Sequence, residues 1–106
     1  MAILQIASYD HVFRVITGDG MEPEFNTGDE LFTDFDRNPH HGDFVVAKLS
    51  EQSPYILSQL LFTSRKKILK SLNPAYPAIE IPNLSFIFGV VVLRGRAMDN
   101  TEVETN

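Results

Sequence analysis

The stretch Thr17 to Phe32, TGDGMEPEFNTGDELF, sets two Gly-Asp turns on either side of a Met-Glu-Pro segment. A tight frame of this kind suits a catalytic serine, yet position 20, where the hydroxyl would stand, is glycine. Few other residues could do chemistry. His40 and His41 are adjacent, and neighbouring side chains on an extended backbone point apart. Without His-x-x-x-His or carboxylate spacing to support them, they read as a solvated loop, not metal ligands. Asp29, Asp34, Asp36 and Asp43 lack the regular spacing of a calcium loop and fit turn formation and solubility. The chain has no cysteine, which removes thiolate chemistry, disulfides and Cys-ligated zinc. Tyr9, Tyr55 and Tyr76 are too scattered to stack bases, and Gly18, Gly28 and Gly42 suit turns better than a phosphate loop. No cofactor and no metal are expected.

Charge narrows the partners. At 106 residues the chain is one domain with room for a single core, and its net charge of −5 argues against gripping nucleic acid unaided. Eight of the 14 acids lie between Asp19 and Asp43, whereas Arg65, Lys66, Lys67 and Lys70 crowd one short segment. That basic cluster reads as a solvated turn or as a contact for the acidic region of a neighbouring subunit. The longest apolar run, Phe86 to Leu93, is of strand length and far too short to cross a bilayer as a helix. With no basic-then-hydrophobic leader, a soluble protein is expected.

The elements that must hold these residues are short and punctuated. The opening MAILQIASYD has no clear period. His11 to Thr17 alternates as a strand, with Val12, Arg14 and Ile16 against Phe13 and Val15. Met21 to Phe25 suits a single turn with Pro23 near its start. Strands are expected over Glu30 to Phe35 and Asp43 to Leu49, with DRNPHHG as a loop between them. Tyr55 to Thr63 and Lys67 to Leu72 pair through Ser64-Arg65-Lys66, in preference to one helix from Ile56 to Leu69. Asn73-Pro74 and Tyr76-Pro77 force irregular backbone. Leu84 to Arg94 is a strand apolar on both faces, Phe86, Phe88, Val90 and Val92 against Ile87, Val91 and Leu93, and needs cover on both. The domain is mainly β, about seven short strands with one or two short helical turns. It spans residues 11–96, after a linker remnant or N-terminal strand at 1–10 and before a flexible acidic tail at 97–106.

In this order, VITGDGMEPEFNTGDELF, HGDFVVAKL, YILSQLLF, ILKSLNPAYPAIEI and FIFGVVV resemble the C-terminal domain of LexA-like repressors. These form the S24 serine-lysine peptidase family, with LexA, UmuD and the cI-type repressors of temperate phages. The resemblance runs from about Phe13 to Leu93 and includes Leu72-Asn73-Pro74-Ala75-Tyr76. It implies a LexA/signal-peptidase-like fold. In that family the turn reads Gly-Asp/Asn-Ser-Met-x-Pro, and its serine cuts the chain's own linker at an Ala-Gly or Cys-Gly bond. A neutral lysine on a later strand takes the serine's proton. Here the serine position is Gly20 and the lysine position is Ser58, and no Ala-Gly or Cys-Gly pair precedes the domain. The resemblance therefore implies a vestigial dyad and no enzyme activity.

What remains of the family's work is self-association, as a homodimer or higher oligomer. It lets an N-terminal helix-turn-helix domain, absent from this chain, hold operator DNA cooperatively in a bacterial cytoplasm during lysogeny. The pairing surface is expected on the strand face of Phe86, Phe88, Val90 and Val92. An antirepressor protein is a possible inducing partner. Two other readings stay open: a self-cleaving LexA/UmuD-type peptidase domain met as an inactivated variant, and a free-standing interaction module.

Overall fold

The computed structural model describes residues 1–7 and 11–95. Eight strands and one 3-10 turn form there: β1 (Ala2–Ile6), β2 (Val12–Thr17), β3 (Glu30–Asp34), β4 (Phe44–Ala47), β5 (Tyr55–Thr63), β6 (Lys66–Lys70), β7 (Ile79–Ile81), the turn Leu84–Phe86, and β8 (Ile87–Gly95). The chain is mainly β, as its punctuation implies. The strand pair expected around Ser64 and Arg65 forms where a helix was the competing reading. Two strands escape the periodicity. β1 is only five residues long, although Ala2 and Leu4 alternate inward, and β7 is three residues following two X-Pro breaks. Tyr9 and the acidic tail 97–106 lie outside the described residues.

Neighbouring strands are antiparallel in the order β1-β2-β3-β8-β4-β5-β6-β7, and β1 also pairs with β5. That extra pairing closes six strands into a barrel and leaves β6 and β7 as an appended flap. Closure matters because an unpaired strand edge is a template for unwanted association.

The interior is divided between two clusters. Ala2, Leu4, Phe13, Val15, Met21, Phe25, Leu31, Val46 and Leu57 pack together as one, and Val45, Ala47, Ile56, Leu60, Leu69, Ile81 and Val90 as the other. β4 and β5 lie between them, which is why Val45, Val46 and Ala47 are all fully buried. Strands covered on both faces read as continuous apolar runs, and VVA and IL do.

β8 departs from the two-faced strand its sequence suggests. Its first expected residues, Leu84–Phe86, are the 3-10 turn, capped by the Asn83 side chain accepting from Ser85 N. Strict alternation along the rest is broken by two register shifts. Val46 pairs with Gly89 but Ala47 with Ile87, so Phe88 is an extra residue against β4. Phe32 pairs with Leu93 but Thr33 with Val91, so Val92 is an extra residue against β3. Such bulges turn the inserted residue out of the pleat. Phe88 and Val92 are accordingly 43% and 47% exposed, while Val90 between them is 2% exposed.

Candidate functional site

The Gly-Asp turn begins where β2 ends. Gly18 has φ +103°, a left-handed conformation that side chains with a β-carbon rarely adopt. After Asp19 and Gly20 the chain makes one helical turn, Phe25 N donating to the Met21 carbonyl at 2.8 Å. Met21 is fully buried in the barrel, a placement that contributes about 1.5–3 kcal/mol. The methionine thus anchors the turn from below.

From above, the Asn73-Pro74-Ala75-Tyr76 element holds it. Asn73 N donates to the Gly20 carbonyl at 2.8 Å. The Tyr76 hydroxyl donates to Asp19 Oδ1 at 2.5 Å. Asn73 shapes its own segment by accepting from Ala75 N at 2.9 Å through its side chain. The tyrosine hydrogen bond holds the Asp19 carboxyl below its ordinary range, and the same bond pushes the Tyr76 hydroxyl up. Composition left Tyr76 a scattered tyrosine. Its partner is 57 residues away in sequence.

Ser58 lies in the middle of β5 and is 3% exposed. The register around it explains what it meets. β1 pairs with β5 up to Ala2 against Leu57, and β6 takes over at Gln59 against Lys70. One step further along each ladder brings Met1 and Ser71 toward Ser58. Gly20 faces the same two residues. A β-carbon built on it would lie 3.0 Å from Met1 Cα, 3.1 Å from Ser71 Oγ and 3.2 Å from Met1 N. Gly20 thus faces Met1 and Ser71, the residues next in register along the β1 and β6 ladders on either side of Ser58, and the sequence singled out neither. Position 20 offers only a hydrogen, and the Ser58 hydroxyl has no basic side chain hydrogen-bonded to it among the described residues.

The other candidates sit elsewhere. His41 Nδ1 accepts from Phe62 N at 2.9 Å, and His40 Nδ1 is 3.9 Å from Asp43 Oδ2. Among the described residues no three His, Cys, Asp or Glu side chains are grouped to hold a metal, and no helix is long and apolar enough to cross a membrane. Arg65, Lys66, Lys67 and Lys70 flank the β5–β6 turn without a carboxylate within salt-bridge distance among the described residues. By contrast, Arg14 meets Glu30 at 2.6 Å and Arg94 meets Glu24 at 3.7 Å.

The four expected pairing residues do not form one face. Val90 is a core residue, buried with Val45 and Leu60, and Phe86 packs partly against the same cluster. Phe88 meets the Tyr55 ring edge-on at 5.1 Å, beside a groove also lined by Lys48, Glu51 and Phe86. Val92 lies four residues further along β8. Leu93, on a strand face expected to need cover, is 60% exposed and is registered against Phe32, itself 43% exposed. Leu93 and Val92 border a second groove, lined also by Glu24, Phe25, Phe44, Val91 and Arg94. The two bulges of β8 leave Val90 facing inward and Val92 and Leu93 facing outward.

Comparison with known proteins identifies the family. A family profile described as Peptidase S24-like matches residues 3–92. The prophage repressor CohE of Escherichia coli K12 is 33% identical over 88 residues, which covers 81% of this chain and 39% of CohE. Repressor protein C2 of Salmonella phage P22 is 40% identical over 62 residues, covering 58% of this chain and 29% of C2. An HTH-type transcriptional regulator for conjugative element SXT of Vibrio cholerae is 44% identical over 50 residues, 47% of this chain and 23% of that protein. The chain thus spans well under half the length of these relatives.

Proposed function

The chain belongs to the Peptidase S24-like family, and from that membership we propose that it is the self-association domain of a phage-type transcriptional repressor, with a peptidase site that no longer cuts. The observation that carries the reading is the pair of residues at the two dyad positions. A glycine α-carbon supplies no nucleophile, and a buried serine hydroxyl is no general base near neutral pH. Loss of a nucleophile alone costs about 10⁶-fold in turnover, so a site lacking both members has no route to linker cleavage.

Self-association is the function left to such a domain. Exposed Phe32, Val92 and Leu93 on β3 and β8 support it, because taking apolar surface out of water drives association. The relatives' names, repressors and HTH-type regulators, support a DNA-binding region elsewhere in the longer protein. Pairing the C-terminal domains makes the second operator contact intramolecular and raises affinity about a hundred-fold or more. The acidic charge of this domain fits that division of labour. With self-cleavage gone, induction falls to a partner that separates the subunits, an antirepressor protein being the kind that fits.

The test is made on the longer parent protein. Prolonged incubation followed by intact-mass measurement is expected to return the uncut chain, and so is the Gly20→Ser, Ser58→Lys double variant. Cleavage of the unaltered protein in its linker would remove the inactive-site reading. Cleavage of the double variant alone would mark the dyad as recently replaced in an otherwise intact site.

A further inference from the structure

The hairpin joining β5 to β6 carries a charge pattern that neither the dyad positions nor the exposed barrel wall uses. Four of the nine Lys and Arg residues and none of the 14 acids fall between Gln52 and Ile79. Arg65, Lys66 and Lys70 are exposed and Lys67 is half-buried. Ladder register fixes their arrangement. Thr63 pairs with Lys66 and Gln59 with Lys70, so alternation puts Lys66, Ile68 and Lys70 on one face and Lys67 on the other, with Arg65 at the tip. Along the strand Lys66 and Lys70 stand about 13 Å apart, close to the width of a DNA major groove, about 12 Å.

The base of this ribbon is braced. Gly42 N donates to the Leu60 carbonyl at 2.7 Å, Leu60 N to the Asp43 carbonyl at 2.8 Å, and Gln59 Nε2 to the Gly42 carbonyl at 3.0 Å. Its tip keeps a cation where the backbone disfavours one. Ser64 and Arg65 have φ of 43° and 72°, the left-handed region that glycine and asparagine enter at least cost. A strained arginine in an exposed turn, with no carboxylate in salt-bridge reach among the described residues, points to a contact outside the chain.

We propose that the β5–β6 hairpin is a contact for the phosphate backbone of duplex DNA, made by Arg65, Lys66, Lys67 and Lys70. The net charge of −5 opposes such a contact only as an average. Salt limits each charge to about 8 Å, so a phosphate at the tip is governed by the groups on the hairpin. One acid joins that face, Glu80, which is exposed and pairs with Ile68. The two grooves described above do not reach the hairpin, and cations spread over both faces and the tip suit a charged rod better than the apolar centre of a protein interface. The contact is weak alone and counts once another region of the longer protein holds the same duplex, because it is then intramolecular. That last step rests on the repressor reading, whereas the hairpin's affinity for phosphate does not.

Titrating the isotope-labelled chain with a short duplex of arbitrary sequence at low salt reads the contact by NMR. Amides from Thr63 to Lys70 are expected to shift, and those of β2 and β3 to stay in place. Ser64→Asn with Arg65→Gly is expected to raise the urea midpoint yet weaken duplex binding about fivefold or more, a loss that unfolding cannot cause. Lys66→Gln with Lys70→Gln should flatten the slope of log affinity against log salt by about 0.9 for each cation removed. Glu80→Gln should strengthen binding about twofold. Should the turn variant fold less stably, the lysine pair decides. Unmoved hairpin amides, or a salt slope unchanged in the lysine variant, would overturn the proposal. Polyglutamate of matched charge binding as tightly as the duplex would overturn it too, assigning the hairpin to an acidic protein surface. A parent protein that holds no operator would remove the repressor reading and leave this titration as it stands.

Discussion

The Asp19–Tyr76 hydrogen bond joins the Gly-Asp turn to a segment 57 residues away, and its protons make it testable. Asp19 is held below its ordinary value of 3.8 by that bond, so the stabilisation it brings is present above that value and fades as pH falls through the lower folded one. Tyr76 is raised above its ordinary 10.0 by the same bond, so its side of the linkage is present below pH 10.0 and fades as pH rises through the folded value. These describe one interaction seen from both partners. Tyr76→Phe is therefore expected to lower the urea midpoint at pH 7 and to converge with the unaltered chain in strong acid. In the variant, the Asp19 carboxyl followed by NMR should titrate closer to its ordinary value. Equal midpoints at pH 7 together with an unmoved Asp19 titration would show that the turn is held by Asn73 alone.

Strand elements differ in how much of themselves they announce. In β2, Phe13 and Val15 alternate with Arg14 and Ile16 in sequence, and the first pair is buried while the second faces out. β5 and β6 were legible for a similar reason, since turn residues bounded them. The surroundings of Gly20 were not, because Met1 and Ser71 reach it through the change of partner along one edge of β5, a property of pairing and not of local pattern. The bulges of β8 were hidden too: register shifts depend on how β3 and β4 twist against it. Val90 and Val92 therefore look equivalent in sequence and should behave differently. Val90→Ala, in the core, is expected to cost about 2 kcal/mol or more, and Val92→Ala under about 0.5 kcal/mol, by chemical denaturation. The β5–β6 connection gives a prediction of opposite sign. Ser64 and Arg65 have φ of 43° and 72°, both left-handed, in a two-residue hairpin turn that favours Asn-Gly. Replacing the pair by Asn-Gly is expected to stabilise the domain by about 1 kcal/mol, since a non-glycine residue in that region costs about 1–2 kcal/mol. A destabilised double variant would mean that the serine and arginine side chains make contacts worth more than the strain.

Across the whole molecule, the exposed apolar surface lies beside the acidic segments and apart from the basic hairpin. Acids concentrate in the segments from Asp19 to Asp43, and Arg65, Lys66, Lys67 and Lys70 flank the hairpin of the appended flap. The apolar surface of Phe32, Val92 and Leu93 sits on the barrel wall, in the β3–β8 pair. A domain that associates through this wall is expected to bury Leu93, which is 60% exposed in the single chain and contributes little to its stability. Leu93→Asp separates the two roles. Folding should change by no more than about 0.5 kcal/mol, because the substituted side chain remains in water. An aspartate buried without a partner at an interface costs several kcal/mol, so association should weaken by about 30-fold or more. Light scattering over a concentration series reads the second effect and urea denaturation the first. Val90→Ala serves as the opposite control, unfolding more easily while keeping the wall unchanged. If Leu93→Asp associates as the unaltered chain does, the pairing surface lies elsewhere, and the groove beside Phe88 becomes the next place to substitute. If the unaltered chain stays monomeric at high concentration, self-association as the domain's remaining task is lost, whatever the state of its peptidase site.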